Sequence, residues 1–323
     1  MSKEAKTIKP SIRNIQVVGT LSEINMCIEE KEIEIKGKKV KCNAVVKKEF
    51  KNPSMNIEVN GDIVDVDFIN TYELNKEGEH NSNYDGMVTI MKDYVTKIKA
   101  TDENPATRVK FDGMINLNEY ATEKGDFSSR LQLLGFFPCT STGVPEEDCA
   151  DGKLSGIIRT IKPETNKDEE ETGRLIVEIC ALDKDGAILP YKVFVEEDMA
   201  SDFSNLYEQG CNVILDVEVL SKYVGVKKQV KTGGFGRRES KAVSGFSVPE
   251  LSVFGGTDPL EEENELFIDL DTVKTAMKER DIMIEAKINE KKNGKKESKP
   301  QGLKGRETKA QPSVDDPESD CPF

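Results

Sequence analysis

The chain reads as a succession of short apolar runs with the two-residue alternation of half-buried strands. Ile15-Gln16-Val17-Val18-Gly19-Thr20-Leu21 opens the series, with a Gly placed for a bend. Residues 32–41 alternate apolar and charged positions around Gly37, as a solvent-facing hairpin does, and 42–46 continue it. Strands at 55–59 and 63–69 follow, split by the turn Asn60-Gly61, then a helix over 84–94 and strands at 107–115 and 129–137. Strands, one helix and two more strands is the order of an OB-fold, the small Greek-key barrel.

The second half repeats that order. Strands are expected at 153–161, again with a Gly in the middle (Gly156), at 174–182 and at 191–195, with a turn at 183–186. A helix fits 198–207, with Phe203, Leu206 and Tyr207 on one face, and strands at 211–220 and 246–254 close the set. Phe136, Phe137, Phe194 and Phe254 are read as core, the usual place for strand aromatics. Recurrence of one element order predicts a mainly β protein: two OB-fold units in tandem, with short helices and a disordered C-terminal tail.

The expected organisation is a loose arm over 1–13, a first barrel over 14–145, a second over 152–258, and a helical segment over 266–286. In that segment Asp271 would cap a helix through about Arg280, with Val273, Ala276, Met277 and Ile284 as its apolar stripe. From 287 to 323 the chain turns polar and is expected to be disordered, with nine Lys or Arg and three Glu between Lys287 and Lys309 forming a basic tether.

Composition narrows the function. A net charge of −14 excludes a uniformly basic nucleic-acid coat, so phosphate binding has to come from local segments. The seven cysteines show no zinc spacing, and the one histidine, His80, sits in a polar stretch where a solvated loop residue is expected; neither a metal nor a cofactor is implied. There is no phosphate-binding glycine motif, and Asp65 and Asp67 alternate on a strand without a companion cluster for catalytic metals, so no enzyme is expected. An odd cysteine count, no apolar leader and no run of membrane-spanning length point to a cytoplasmic protein, in the host cytoplasm if viral.

Against that acidic background one internal segment stands out, the connection between the last two strands of the second barrel. It carries Lys227, Lys228, Lys231, Arg237, Arg238 and Lys241 against Glu239 alone, with Tyr223 and Phe235 available to stack on bases and glycines to bend around a strand. In OB-folds the loop between strands four and five flanks the nucleic-acid groove. A weaker patch lies in the first barrel: Lys38 and Lys39 on the hairpin, then Lys47, Lys48, Phe50 and Lys51, diluted by Glu29, Glu30, Glu32 and Glu34. The chain ends on an acidic run, Asp315-Asp316-Pro317-Glu318-Ser319-Asp320-Cys321-Pro322-Phe323, where a terminal aromatic carries a carboxylate and suits capture by an apolar pocket with a cation.

Tail and core together resemble the single-stranded-DNA-binding proteins of bacterial and bacteriophage type, whose OB core is followed by a linker and an acidic tip ending Pro-Phe. Asp315, Asp316, Asp320, Pro322 and Phe323 match the tip, whereas Cys321 replaces the usual apolar residue and Pro317-Glu318-Ser319 interrupts the acids. The core match covers element order and loop charge over roughly 14–255. The resemblance implies sequence-independent binding and protection of single-stranded DNA in replication, recombination and repair, with the tip recruiting partner proteins. The alternative is a structural or assembly protein of a virion that uses its barrels for protein contacts.

Overall fold

The structure is a computed structural model, and it describes residues 9–48, 53–122, 124–135, 139–166, 168–224 and 246–297. In the first half the order is β1 (Arg13–Asn25), β2 (Cys27–Ile35), β3 (Lys38–Val46), β4 (Ser54–Val59), β5 (Asp62–Phe68), β6 (Thr71–Tyr72), α1 (Ser82–Asp93), β7 (Arg108–Ala121) and β8 (Phe127–Gly135). In the second it is β9 (Cys149–Thr165), β10 (Glu171–Leu182), β11 (Ile188–Val195), α2 (Glu197–Leu206), β12 (Asn212–Val224) and β13 (Phe246–Gly256), followed by α3 (Leu270–Glu297).

Two closed rings result. β1 pairs with β4 and β7, β4 with β5, β5 with β8 in parallel, and β8 with β7. The second ring repeats this as β9–β10–β11–β13–β12–β9, with β11 and β13 parallel. Each is the five-stranded OB topology, with a helix between its third and fourth strands. The first ring carries an insertion, the β2–β3 hairpin, which forms a separate three-stranded sheet with β6.

Local chemistry explains the elements. Lys36 and Gly37 (φ 50° and 76°) and Asn60 and Gly61 (φ 51° and 92°) make two-residue hairpin turns in the left-handed region. Asn81 caps α1 by accepting from the Asn83 amide at 3.1 Å, and Tyr84, Met87 and Ile90 turn one face of that helix into the core. Phe68 and Phe111 meet edge to face, 5.6 Å between centroids, inside the first barrel. In α2, Phe203 and Tyr207 are buried and the Tyr207 hydroxyl donates to the Thr257 carbonyl at 2.5 Å, but Leu206 lies exposed, off the face it was expected to share.

The two barrels are joined by an antiparallel pairing of their first strands, Arg13↔Leu154 through Val18↔Cys149. Gly19 and Gly156 are equivalent: a Cβ at either would overlap a second-strand carbonyl oxygen, of Glu58 and of Cys180 respectively. They are 137 positions apart, as are the paired residues Ile15 and Gly152, so the first strand of one barrel meets its own counterpart about a local pseudo-dyad. Two crossing contacts flank the joint. The Tyr191 hydroxyl of β11 donates to the Ile115 carbonyl of β7 at 3.1 Å, and the Ser221 hydroxyl of β12 donates to the Ile63 carbonyl of β5.

The segments outside the barrels depart from expectation. Residues 9–12 are docked rather than loose: the Ser11 amide donates to the Leu182 carbonyl at 2.9 Å, and the Ile12 amide to the Ser155 hydroxyl at 2.7 Å. The helix does not stop near Arg280, nor does order end at 287, because α3 continues to Glu297. Val273, Ala276 and Met277 pack on Ile157, Cys180, Leu182 and Ile188 of the second barrel. Further along, Arg280 pairs with Glu119 of β7 and lies over the Phe127 ring at 5.7 Å. At 1.5 Å rise per residue its 28 residues span about 42 Å, enough to touch both barrels.

The helix cap is Asp269, not Asp271: its carboxylate accepts from the Thr272 amide at 2.8 Å and from the Thr272 hydroxyl at 2.5 Å. The approach is held by buried Asn212, whose side chain donates to the Ile268 carbonyl at 3.0 Å and accepts from its amide at 2.9 Å. Hydrogen bonds from Thr272 hold the Asp269 carboxyl below its ordinary value of 3.8. Its contribution is therefore present above that value and lost as pH falls through the lowered one. Asp269→Ala is expected to cost about 0.5–2 kcal/mol at neutral pH, a gap from the parent chain that closes on acidification, read by thermal melts across a pH series.

Candidate nucleic-acid interface

In an OB barrel the outer face of strands two and three, with the loops between strands one and two and between four and five, takes extended ligands. In the second barrel those strands are β10 and β11. Tyr191, Val193 and Val195 of β11 point into the core, which leaves Lys192 exposed and Phe194 half-buried on the outside. The register lines up one row across four strands: Lys162 of β9, Ile176 of β10, Phe194 of β11 and Ser252 of β13. Phe254 of β13 falls in a bulge, since Val217 pairs with Val253 and Asp216 with Gly255; its ring is 48% exposed.

Phe194 is held from one side. The Arg174 guanidinium lies 4.8 Å from its ring centroid and is itself gripped by Glu196 at 2.9 Å, Glu164 at 3.4 Å and Glu250 at 3.5 Å. Burial opposes the guanidinium charge, but the three carboxylates outweigh it and push the pKa of Arg174 up. Around Phe194 one guanidinium is thus shared by three carboxylates, while Arg159 is bound to Glu178 at 2.5 Å. What this face offers a ligand is apolar surface: the half-buried Phe194 beside Ile176, and the exposed Phe254 on β13, with the exposed Lys192 on the strand of Phe194 and the exposed Lys162 opposite Ile176. Base stacking on such rings contributes about 1–3 kcal/mol per base and tolerates any sequence.

Phe194 and Phe254 were expected in the core, and the structure turns both outward. The signal was available for Phe194, because the alternation Tyr191-Lys192-Val193-Phe194-Val195 puts it with the lysine. For Phe254 the same alternation was available, because Leu251 and Val253 face the core and Phe254 follows them on the opposite side. Phe136 and Phe137 lie outside the described residues.

The basic connection begins at Val224 and ends at Phe246, which pair as the last rung of β12 and β13. It is thus the strand four to five loop of the second barrel. Lys227, Lys228, Lys231, Phe235, Arg237, Arg238 and Lys241 themselves lie outside the described residues, as does the side chain of Tyr223. The base of this hairpin abuts the first barrel, where Val219, Ser221 and Pro249 face Asn56, Ile63 and Asp65 across a cleft of about 180 Å³. That volume is below the few hundred Å³ of a small-molecule site.

In the first barrel, Lys38 and Lys39 stand on the β2–β3 hairpin, on a different sheet from the basic connection. Their strands are laced with ion pairs: Lys39 to Glu32 and Lys41 to Glu30 at 2.7 Å, and Lys31 to Glu29 at 2.6 Å. Lys47 is half-buried and Lys48 exposed where β3 ends, while Phe50 and Lys51 lie outside the described residues. So do Asp315, Asp316, Asp320, Pro322 and Phe323. Among the described residues no cluster of His, Cys, Asp and Glu could hold a metal ion, and no helix is long and apolar enough to cross a membrane. His80 lies 2.7 Å from the Asp85 carboxylate, both exposed, at the start of α1.

The YorF family model matches residues 12–293, from the docked segment before β1 almost to the end of α3. The chain belongs to the YorF family. The match takes in both barrels and most of the helix that spans them. No curated protein matches the sequence. Among solved structures, wild-type single-stranded DNA binding protein from Thermus aquaticus aligns with a TM-score of 0.41 at 8% identity, over 79% of this chain and 97% of that one. A deletion mutant of the same protein gives 0.40 and 10%, over 79% and 98%. At those values the OB assignment rests on this chain's own strand pairings.

Arg174 is the side chain on which the interface turns. Arg174→Ala strands Glu164, Glu196 and Glu250 together beside an unsupported Phe194, and is expected to cost about 2–3 kcal/mol at neutral pH. Arg174→Lys, which cannot lie flat on the ring, recovers only part of that loss. Denaturant melts of the two variants beside the parent chain measure both effects.

Proposed function

We propose that this protein binds single-stranded DNA without sequence preference and without catalysis, and that it protects the strand in replication, recombination or repair. The observation that carries the reading is the outward pair Phe194 and Phe254 on the outer strands of the second OB barrel. The connection between the fourth and fifth strands of the same barrel is also the most basic stretch of an acidic chain. Stacking on the rings and phosphate pairing with Lys227, Lys228, Lys231, Arg237, Arg238 and Lys241 are complementary: one holds bases, the other the backbone. The acidic tip, with Asp315, Asp316, Asp320, Pro322 and Phe323, then serves replication or recombination proteins, and in the absence of DNA competes for the same cations.

The test is a fluorescence titration with oligo-dT and with a matching duplex over a salt series. Tight binding to the single strand alone is expected, with log K falling by about 0.7 per phosphate neutralised for each decade of salt. Removing residues 315–323 is expected to strengthen binding at low salt and to abolish capture of tip-reading partners. Failure to bind either nucleic acid would sink the reading.

A further inference from the structure

The strand four to five hairpin of the first barrel, β7–β8, outruns its barrel and has two unlike faces. Ile115 pairs with Leu133 and Leu117 with Leu131, all on the core side; further out, the two-residue period puts Glu119 and Phe127 on that same side. Both meet α3 there. Arg280 pairs with Glu119 and lies over the Phe127 ring, and the hairpin turn sets Gly125 against Lys292 so closely that a Cβ would come within 2.5 Å of its Cε. A two-stranded ribbon alone is marginal in water, and the helix along its back holds this one in place.

The opposite face of the ribbon is turned away from the helix. It carries Asn118 opposite Arg130 and Tyr120 opposite Ser128. The Arg130 guanidinium lies 5.9 Å from the Tyr120 ring centroid, and both side chains are exposed. Arg108, Arg159, Arg174 and Arg280 each hold a carboxylate, whereas Arg130 forms no ion pair among the described residues and meets an aromatic ring instead. An exposed ring beside a planar cation with its fork of donors unclaimed suits a nucleotide: the ring takes a base face, and the guanidinium takes the adjoining phosphate.

The position of this pair links it to the second barrel. Two residues further in, Gln132 accepts from the Asn116 amide at 3.4 Å and donates to Asp67 of β5 at 2.7 Å, so the outer sides of β7, β8 and β5 are continuous. The base of the β12–β13 hairpin stands there: the Ser221 hydroxyl donates to the Ile63 carbonyl, and Pro249 of β13 shares a cleft with Leu133 of β8. From Pro249, β13 leads on to Ser252, the register neighbour of Phe194. One strand of the sheet thus connects the two surfaces.

We infer that the first barrel supplies a second contact for the nucleic-acid strand: Tyr120 stacks on a base and Arg130 pairs with the neighbouring phosphate, on the β7–β8 hairpin that α3 braces from behind. This rests on the single-strand-binding reading above. The contact reads no base edge and so tolerates any sequence, and a duplex, whose bases are stacked internally, gains only the phosphate half of it.

The experiment uses the full chain and oligo-dT carrying iododeoxyuridine, at about 32 nucleotides, the upper span of two OB folds. Photo-crosslinks are expected in the peptide that holds Tyr120 as well as in those that hold Phe194 or Phe254. Tyr120→Ala is expected to weaken binding about tenfold, and Tyr120→Phe to leave it within about twofold. Arg130→Gln is expected to weaken binding and to lower the salt slope by about 0.7, whereas Arg130→Lys keeps the slope. Melts close to the parent's are expected for all four, because both positions are exposed; should a variant melt early, the crosslink on the parent chain decides. Absence of crosslinks in 108–135, or parental affinity in both Tyr120→Ala and Arg130→Gln, would overturn the second contact while leaving DNA binding intact. If the parent chain binds no oligonucleotide, the function reading falls and takes this contact with it.

Discussion

Everything in this molecule hangs on the pairing of β1 with β9. Each strand already serves two neighbours in its own barrel, and the extra edge-to-edge contact from Arg13 to Val18 turns two rings into one ten-stranded sheet. Such sharing is possible because a barrel's first strand is long enough to bend: Gly19 and Gly156 let the strand press against a neighbouring carbonyl where any Cβ would collide. Beyond each bend the strand closes its own barrel, and before it the strand is free to pair with its counterpart. Burial of Ile15, Val17 and Val18 on both faces of β1 follows directly.

Once the joint is set, the remaining parts have little freedom. The crossing contacts from Tyr191 and Ser221 lie on either side of it, and α3 runs from the Ile157, Cys180 and Ile188 surface of one barrel to Glu119 and Phe127 of the other. The helix is tied at its start by Asp269 and Asn212 and crosses on Arg280, whose charge is met by Glu119 and whose flat face rests on an aromatic ring. Arg174 uses the same combination of carboxylates and a ring beneath Phe194. In both places a cation is desolvated only where several partners compensate it.

The strand order of both barrels was legible, because β-branched alternation, hairpin turns such as Asn60-Gly61 and the two mid-strand glycines are local signals. The joint was not legible: β1 and β9 each read as an ordinary barrel strand, and their mutual register depends on residues more than a hundred positions apart. Side-chain direction was half legible, as Phe194 shows; hydrophobicity argued for the core, while the two-residue period argued for the surface, and the period prevailed. Phe254, following the inward Leu251 and Val253, obeys the same period. The length of α3 was missed because its second half is rich in Lys, Glu and Asn. That composition suggests disorder when taken alone, yet Arg280, Ile284 and Ile288 keep a helical spacing toward the barrels.

The self-pairing about Ile15 and Gly152 has a consequence for how the molecule responds to dilution. Two separate barrels meeting through a first-strand edge would obey mass action and part as their concentration fell. Here the partner edge is supplied by the same polypeptide, at an effective concentration fixed by the short connection from Gly135 to Cys149. The joint therefore stays closed at any copy number, and because each face is encoded once, one barrel can change its surface chemistry without imposing the change on the other.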